Sequence, residues 1–232
     1  MRGKTIVITG GFGALGSGVA EAAAGRGASV AVLDLAKSAP AGLAERLGPN
    51  ALLLGDVDLS SPEGARKAMA EVKAKFGRID ALLNIAGGFR WEAIDGGDAE
   101  TWDRMYALNL KTALNACQAA LPHLLESGAG RVVNVGAQTA IKAASGFGPY
   151  ASSKSAVHRL TESLAEELKL KGVTVNAVLP SIIDTPANRA DMPKADFDRW
   201  IKPADLAAVI LFLASDEAEA VTGALIPVSG RV

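Results

Sequence analysis

Residues 4–24 constrain the fold most. A β-branched apolar run, Lys4 to Thr9, leads straight into Gly10-Gly11-Phe12-Gly13-Ala14-Leu15-Gly16, and a helical pattern follows through Val19, Ala20, Ala23 and Ala24. Strand, glycine turn and helix in that order is the context in which glycines cradle a phosphate. Glycine permits positive φ and close backbone approach, and a helix N-terminus attracts an anion. A tight turn without a ligand is the plainer reading, and the clustering of glycines favours binding. The rest of the chain must then supply parallel strands beside this one.

The pattern that follows does so. Ala28 to Leu33 reads as a second strand ending at Asp34, about 20 residues beyond the turn, where a carboxylate can accept hydrogen bonds from an adenosine ribose. It would repel a 2′-phosphate, and Lys37 stands three positions away, so NAD is favoured, with NADP possible. Capping a following helix is the other use of Asp34, for which Ser38-Ala39-Pro40 is better suited. Ala51 to Leu54 is a third strand, followed by Asp56 and Val57; Ser60 to Phe76 is a helix opened by Ser61-Pro62-Glu63. Ile79 to Leu83 leads to Asn84-Ile85-Ala86-Gly87-Gly88. Asp98 to Ser127 is a long helical pattern that Pro122 should kink or end. Arg131 to Val135, Val173 to Leu179 and Ala224 to Val228 complete the strands, and Ala204 to Ala214 is an apolar helix. Alternating strands and helices call for a doubly wound α/β fold, a parallel sheet of about seven strands with helices on both faces. No linker or repeat divides residues 1–232, which read as one domain with a loop-rich lid around 181–203.

Near residue 150 the chemistry changes. Pro149 suits the first turn of a helix carrying Ala156, Val157, Leu160, Leu164 and Leu168 at helical spacing. Tyr150 and Lys154 are four apart and share a face. A phenol ionises near pH 10 and is a poor proton donor at neutrality. An ammonium one turn away lowers that value, making a proton shuttle. Alone, the pair is better read as an exposed tyrosine stacked on a lysine stem; the nucleotide turn upstream gives the catalytic reading its force.

Composition narrows the function classes. Lys plus Arg is 24 and Asp plus Glu 25, a net charge of −1, with no basic run beyond two residues, so no nucleic-acid footprint is expected. The single cysteine, Cys117, excludes an internal disulfide and sits among small apolar residues. Ile6-Val7-Ile8 is too short for a signal peptide, and no run reaches the roughly 18 apolar residues that span a bilayer. A soluble cytoplasmic protein with a small-molecule substrate is expected. His123 and His158 stand alone, so no metal site is expected. Phe89, Trp91 and Trp200 flank the expected pocket, as stacking partners for a flat ring or as packing.

Taken together, the glycine turn, Asn84-x-Ala86-Gly87, Asn109, Tyr150-x-x-x-Lys154, and Pro180 with Thr185 resemble the short-chain dehydrogenases/reductases over essentially the whole chain. The resemblance implies a Rossmann-type sheet and hydride transfer with a nicotinamide. It implies that Tyr150 is the general acid/base, that Lys154 binds the nicotinamide ribose and lowers the tyrosine pKa, and that Asn109 holds a relay water. Ile183 and Thr185 would hold the carboxamide, and Leu35 would flank the adenosine beside Asp34. Relatives pair the helices that here carry Ala113, Leu114, Ala120, Leu160 and Leu164, so a homodimer or homotetramer is implied.

Two positions depart from the family. Ala14 stands at the usual middle glycine, and Ala137 stands where the family places a serine that polarises the substrate carbonyl. Gln138 or Thr139 could substitute for that hydroxyl. The dihydropteridine reductase branch also has alanine there, and Ala86-Gly87-Gly88, Ala156-Val157-His158, Ala177-Val178-Leu179-Pro180, Asp184-Thr185-Pro186, Asn188-Arg189, Met192-Pro193 and Ala195-Asp196-Phe197 resemble it. A dihydropterin-like conjugated ring is therefore the favoured substrate. A ketone, alcohol or 3-oxoacyl group is the alternative, and a non-catalytic dinucleotide sensor is the alternative from another class.

Overall fold

The computed structural model describes residues 1–232. Seven strands form one wholly parallel sheet: β1 (Thr5–Thr9), β2 (Ser29–Leu33), β3 (Ala51–Leu54), β4 (Ala81–Asn84), β5 (Arg131–Val135), β6 (Thr174–Pro180) and β7 (Leu225–Val228). Their order is β3-β2-β1-β4-β5-β6-β7. The expected α/β class and strand number hold. The order reverses between β1 and β4, and clefts that bind ligands open at such reversals, beyond the carboxyl ends of the strands. Both glycine-bearing segments, 10–16 and 86–88, leave the sheet there.

Alternation along each strand divides the core. Ile6, Ile8, Val30, Val32, Leu83 and Val133 face α1 (Ala14–Gly25), α2 (Leu43–Leu47) and, later in the chain, α8 (Pro203–Leu213). Val7, Ala31, Leu33, Leu82 and Val132 face α3 (Pro62–Phe76), α5 (Thr112–Glu126) and α6 (Gly148–Leu168). Side chains on a strand point to opposite faces in turn, so a β-branched run with both faces covered becomes fully buried.

Several local expectations change. Ser38 caps no helix: α2 is a short helix entered through Gly42, at φ 74°. The long helix expected over 98–127 is not broken at Pro122, which lies inside α5. Pro122 and Gln118, four residues earlier, are both exposed, so the carbonyl left without a donor stands on the solvent side of the helix. The irregularity falls instead at Ala107–Lys111, a π turn joining α4 (Ala99–Tyr106) to α5. Such turns are rare and concentrate at functional sites. Segment 181–203 is not bare loop: it holds α7 (Pro186–Asp191) and a 3₁₀ turn at Phe197–Arg199, and Ile183 bridges Ile201.

Leu83 is fully buried in the central strand. Leu83→Ala is expected to cost about 2–5 kcal/mol, read from the urea midpoint by circular dichroism.

Candidate active site

A cleft of about 910 Å³ runs along the carboxyl end of the sheet. At one end stand Asp34, Leu35 and Ala36, at the centre the glycine turn, and at the other Tyr150, Lys154 and Phe89.

The turn has the shape of a cradle. Gly10 adopts φ 64°, and a Cβ there would lie 2.7 Å from Ala86 Cα; one on Gly16 would lie 2.3 Å from Gly10 O. No other residue fits either place. Gly13 is the N-cap of α1 and offers no side-chain cap, and no acidic residue occupies the first turn, so the leading N–H groups remain free for an anion. Ala14 is already helical and needs no positive φ, so its departure from glycine leaves the turn intact. The Asp34 carboxylate accepts Phe12 N–H at 2.9 Å with one oxygen and Ala36 N–H at 2.9 Å with the other. It is thereby fixed at the cleft's end.

Thr9 Oγ1 accepts the N–H of Ile85 and of Ala86, each at 3.1 Å, binding the end of β4 to the end of β1. Asn84 does not line the cleft. It is buried in the sheet, its amide donating to Asn134 Oδ1 at 2.8 Å and to Cys117 Sγ at 3.2 Å. Burial pushes the Cys117 thiol up to about 12, leaving it inert.

Asn109 stands in the π turn and is buried. Its Oδ1 accepts Gly88 N–H at 2.9 Å, and its Nδ2 donates to Gly88 O at 3.1 Å and Ser153 Oγ at 3.0 Å. One side chain so ties the 86–88 segment to α6. A Cβ on Gly87 would meet Asn109 Oδ1 at 2.5 Å and Lys154 Nζ at 3.1 Å.

Lys154 is buried, and its Nζ donates to Val135 O at 2.8 Å. With no carboxylate in contact, burial lowers it to about 8. Burial likewise raises Tyr150 to about 12. The expected lowering of the phenol by Lys154 is therefore absent here: desolvation governs both groups, and the ammonium is turned to a backbone carbonyl. Phe89 stands edge-on to the Tyr150 ring at 5.1 Å and tilts against Phe147 at 5.2 Å, forming an aromatic wall. Trp91 donates to Ser145 O at 3.1 Å and Glu92 N–H to Gly146 O at 2.8 Å, fixing that wall to the loop before α6.

Ala137 is buried and carries no hydroxyl toward the cleft. Gln138 does not replace it, because its amide donates to Ser229 Oγ at 2.6 Å. Trp200 is buried against Phe197 at 4.8 Å, away from the cleft. Gly11, Ala14, Asp56, Pro180 and Thr185 also lie off the lining, Thr185 as the cap of α7, while Val57 and Ile183 are on it. Sequence reasoning missed Arg104, Leu108 and Thr112, whose four-residue spacing on one helical stripe was the available signal, and gave Asn188 only as part of a resemblance, without a place in the site.

The short chain dehydrogenase family model matches residues 4–196. The chain belongs to that family. It is an oxidoreductase of the NAD(P)-dependent short-chain type. It is 33% identical to a 3-oxoacyl-[acyl-carrier-protein] reductase of Thermotoga maritima, over 99% of this chain and 98% of that one. It is 33% identical to a D-threitol dehydrogenase of Mycolicibacterium smegmatis, over 99% and 93%. The crystal structure of a 3-ketoacyl-(acyl-carrier-protein) reductase from Brucella melitensis complexed with NADH superposes with a TM-score of 0.89 at 28% identity, covering 99% of this chain and 98% of that one.

Lys154 has a stability consequence. Its folded value lies below the ordinary 10.5, so the fold favours the neutral amine. The resulting penalty is complete below about pH 8 and fades as pH rises toward 10.5. Lys154→Met should therefore be more stable than wild type at pH 7, by on the order of 1–3 kcal/mol. The gap should close by about pH 10 in chemical denaturation.

Proposed function

We propose that this chain transfers hydride between NAD, in preference to NADP, and the carbonyl or hydroxyl carbon of a small-molecule substrate, with Tyr150 as proton donor. The observation that carries the reading is a single cleft running from the Asp34 carboxylate, past a glycine cradle, to Tyr150 and Lys154. The cradle fits a dinucleotide: Gly10 and Gly16 leave room that a Cβ would fill, and the uncapped start of α1 suits a pyrophosphate. Gly10 through Gly16 would surround the phosphates. Asp34 and Leu35 would meet the adenosine ribose, Val57 the adenine, with Asp56 beside it off the lining, and Ala86 and Gly87 the centre. Ile183 would meet the carboxamide; Pro180 and Thr185, off the lining, would hold the chain that carries it. The bound nicotinamide supplies the hydride.

The chain's own groups handle the proton. Tyr150 is held protonated by burial, so at neutral pH its hydroxyl has a proton to give to a developing alkoxide. Lys154, donating to the nucleotide's ribose as well as to Val135 O, would bring its charge beside the phenol and ease the loss of that proton. Asn109 keeps the π turn, Gly88 and α6 in register, which fixes Tyr150 against the cleft.

For the substrate, a 3-oxoacyl, ketone or alcohol group takes first place. The relatives named above are a 3-oxoacyl reductase and a polyol dehydrogenase. A dihydropterin finds no support among them and takes second place, resting on the hydroxyl-free Ala137 and the Phe89 wall. A non-catalytic sensor has no use for a buried Lys154 beside Tyr150. The half-buried Leu114, Leu160 and Leu164 support a homodimer or homotetramer. The balanced charge supports no nucleic-acid partner, and no helix is long and apolar enough to cross a membrane. We place the protein in the cytoplasm.

The test is NADH oxidation, with NADPH beside it, against a 3-oxoacyl thioester, small ketones and quinonoid dihydropterin. Turnover of a ketone or 3-oxoacyl thioester, faster with NADH, supports the reading; failure with every acceptor contradicts it. Tyr150→Phe should lower kcat by about 10²–10⁴ with the Kd for NADH unchanged. Asp34→Ala should narrow the preference for NADH over NADPH by about tenfold, the worth of one charged hydrogen bond.

A further inference from the structure

His158 lies one turn beyond Lys154 on α6 and is buried, yet the proton relay makes no use of it. Its Nε2 faces the backbone N–H of Ala137 at 3.4 Å, so that nitrogen is the acceptor and the ring proton resides on Nδ1. Burial first, then the charges of Arg159 and Lys154, lower it to about 4, so the ring is neutral at physiological pH. Gly136 makes room for it: a Cβ there would lie 2.5 Å from Nε2.

The bond is one of four by which α6 holds the end of β5 and the loop after it. Lys154 Nζ donates to Val135 O at 2.8 Å, Ser155 Oγ to Ala140 O at 2.7 Å, and Asn134 Nδ2 to Thr161 Oγ1 at 2.8 Å. Val135 lines the cleft. Of the four ties, the lysine is the one a ribose would share, since its ammonium has three N–H donors and Val135 O takes one. His158 is the nearest tie that a nucleotide would not engage, two residues beyond Val135.

We propose that His158 is a positioning residue of the cofactor cleft: its neutral imidazole holds the backbone at Ala137, so that Lys154 can engage the ribose without the end of β5 shifting. This rests on the nucleotide reading above. Position 137, where the catalytic hydroxyl of related enzymes would stand, is here held from behind, through its backbone.

The test is fluorescence titration of NADH into wild type, His158→Leu and His158→Gln, with thermal unfolding of each. Glutamine keeps an acceptor and leucine removes it. Leucine should weaken NADH binding by about five- to tenfold, the worth of one uncharged hydrogen bond. Glutamine should return the Kd to within about twofold of wild type. A merely structural role lowers the melting temperature of His158→Leu and leaves its Kd for NADH in place, and that result overturns the proposal. Equal loss in both variants also overturns it, because the acceptor would then not matter. Wild type that binds neither NADH nor NADPH overturns the nucleotide reading and this proposal together, which separates the two failures. Should His158→Leu not fold, imidazole ¹⁵N shifts of wild type decide: unprotonated Nε2, free and with NADH, supports the proposal, and protonated Nε2 overturns it.

Discussion

A buried ammonium on a backbone carbonyl sets the geometry of this protein's working end. Lys154 Nζ on Val135 O joins α6 to the end of β5 in the part of the fold where a cleft must stay open. Taking that charge out of water is costly, and the single carbonyl compensates it only in part, which is why the amine is lowered to about 8. The cost buys readiness. An amine with one weak partner is free to take a further one, whereas a lysine paired with a carboxylate would be locked.

Around this point the fold adds ties that do not depend on the lysine. Asn109, buried in the π turn, joins the 86–88 segment to α6 through Gly88 and Ser153. Thr9 joins β1 to β4 at the sheet's reversal, where Gly10 passes within contact of Ala86. Phe89 and Phe147 close the cleft beside Tyr150 with a wall that offers ring edges and faces but no hydroxyl. The floor of the site is thus tied by side-chain hydrogen bonds and its wall is aromatic.

What could be read from the sequence was what is local. The strand, turn and helix at 4–24 and the four-residue step from Tyr150 to Lys154 are properties of short windows, and both appear in the structure where the spacing put them. The alternation of strands and helices was enough for the parallel sheet. What escaped depends on distant partners. Nothing near Asn109 marks a π turn, since neither proline nor glycine signals it, whereas Pro122, which looks like a break, lies on an exposed face and makes none. Gln138 meets Ser229, 91 residues away, and Asn84 meets Asn134, 50 residues away, so neither could be placed by pattern. The pKa of Tyr150 was misjudged for the same reason: proximity along the helix is visible in sequence, but burial and the direction of the Lys154 side chain are not.

The central claim is that burial lowers the Lys154 ammonium to about 8 in the free protein and that a bound nucleotide, by giving it further hydrogen-bond partners, raises it again. Calorimetry of NADH binding at pH 9, in buffers of different ionisation enthalpy, measures this directly. The account requires uptake of about one proton per chain, disappearing in Lys154→Met. Binding with no proton uptake in wild type would show that the amine keeps its state throughout, and would contradict it.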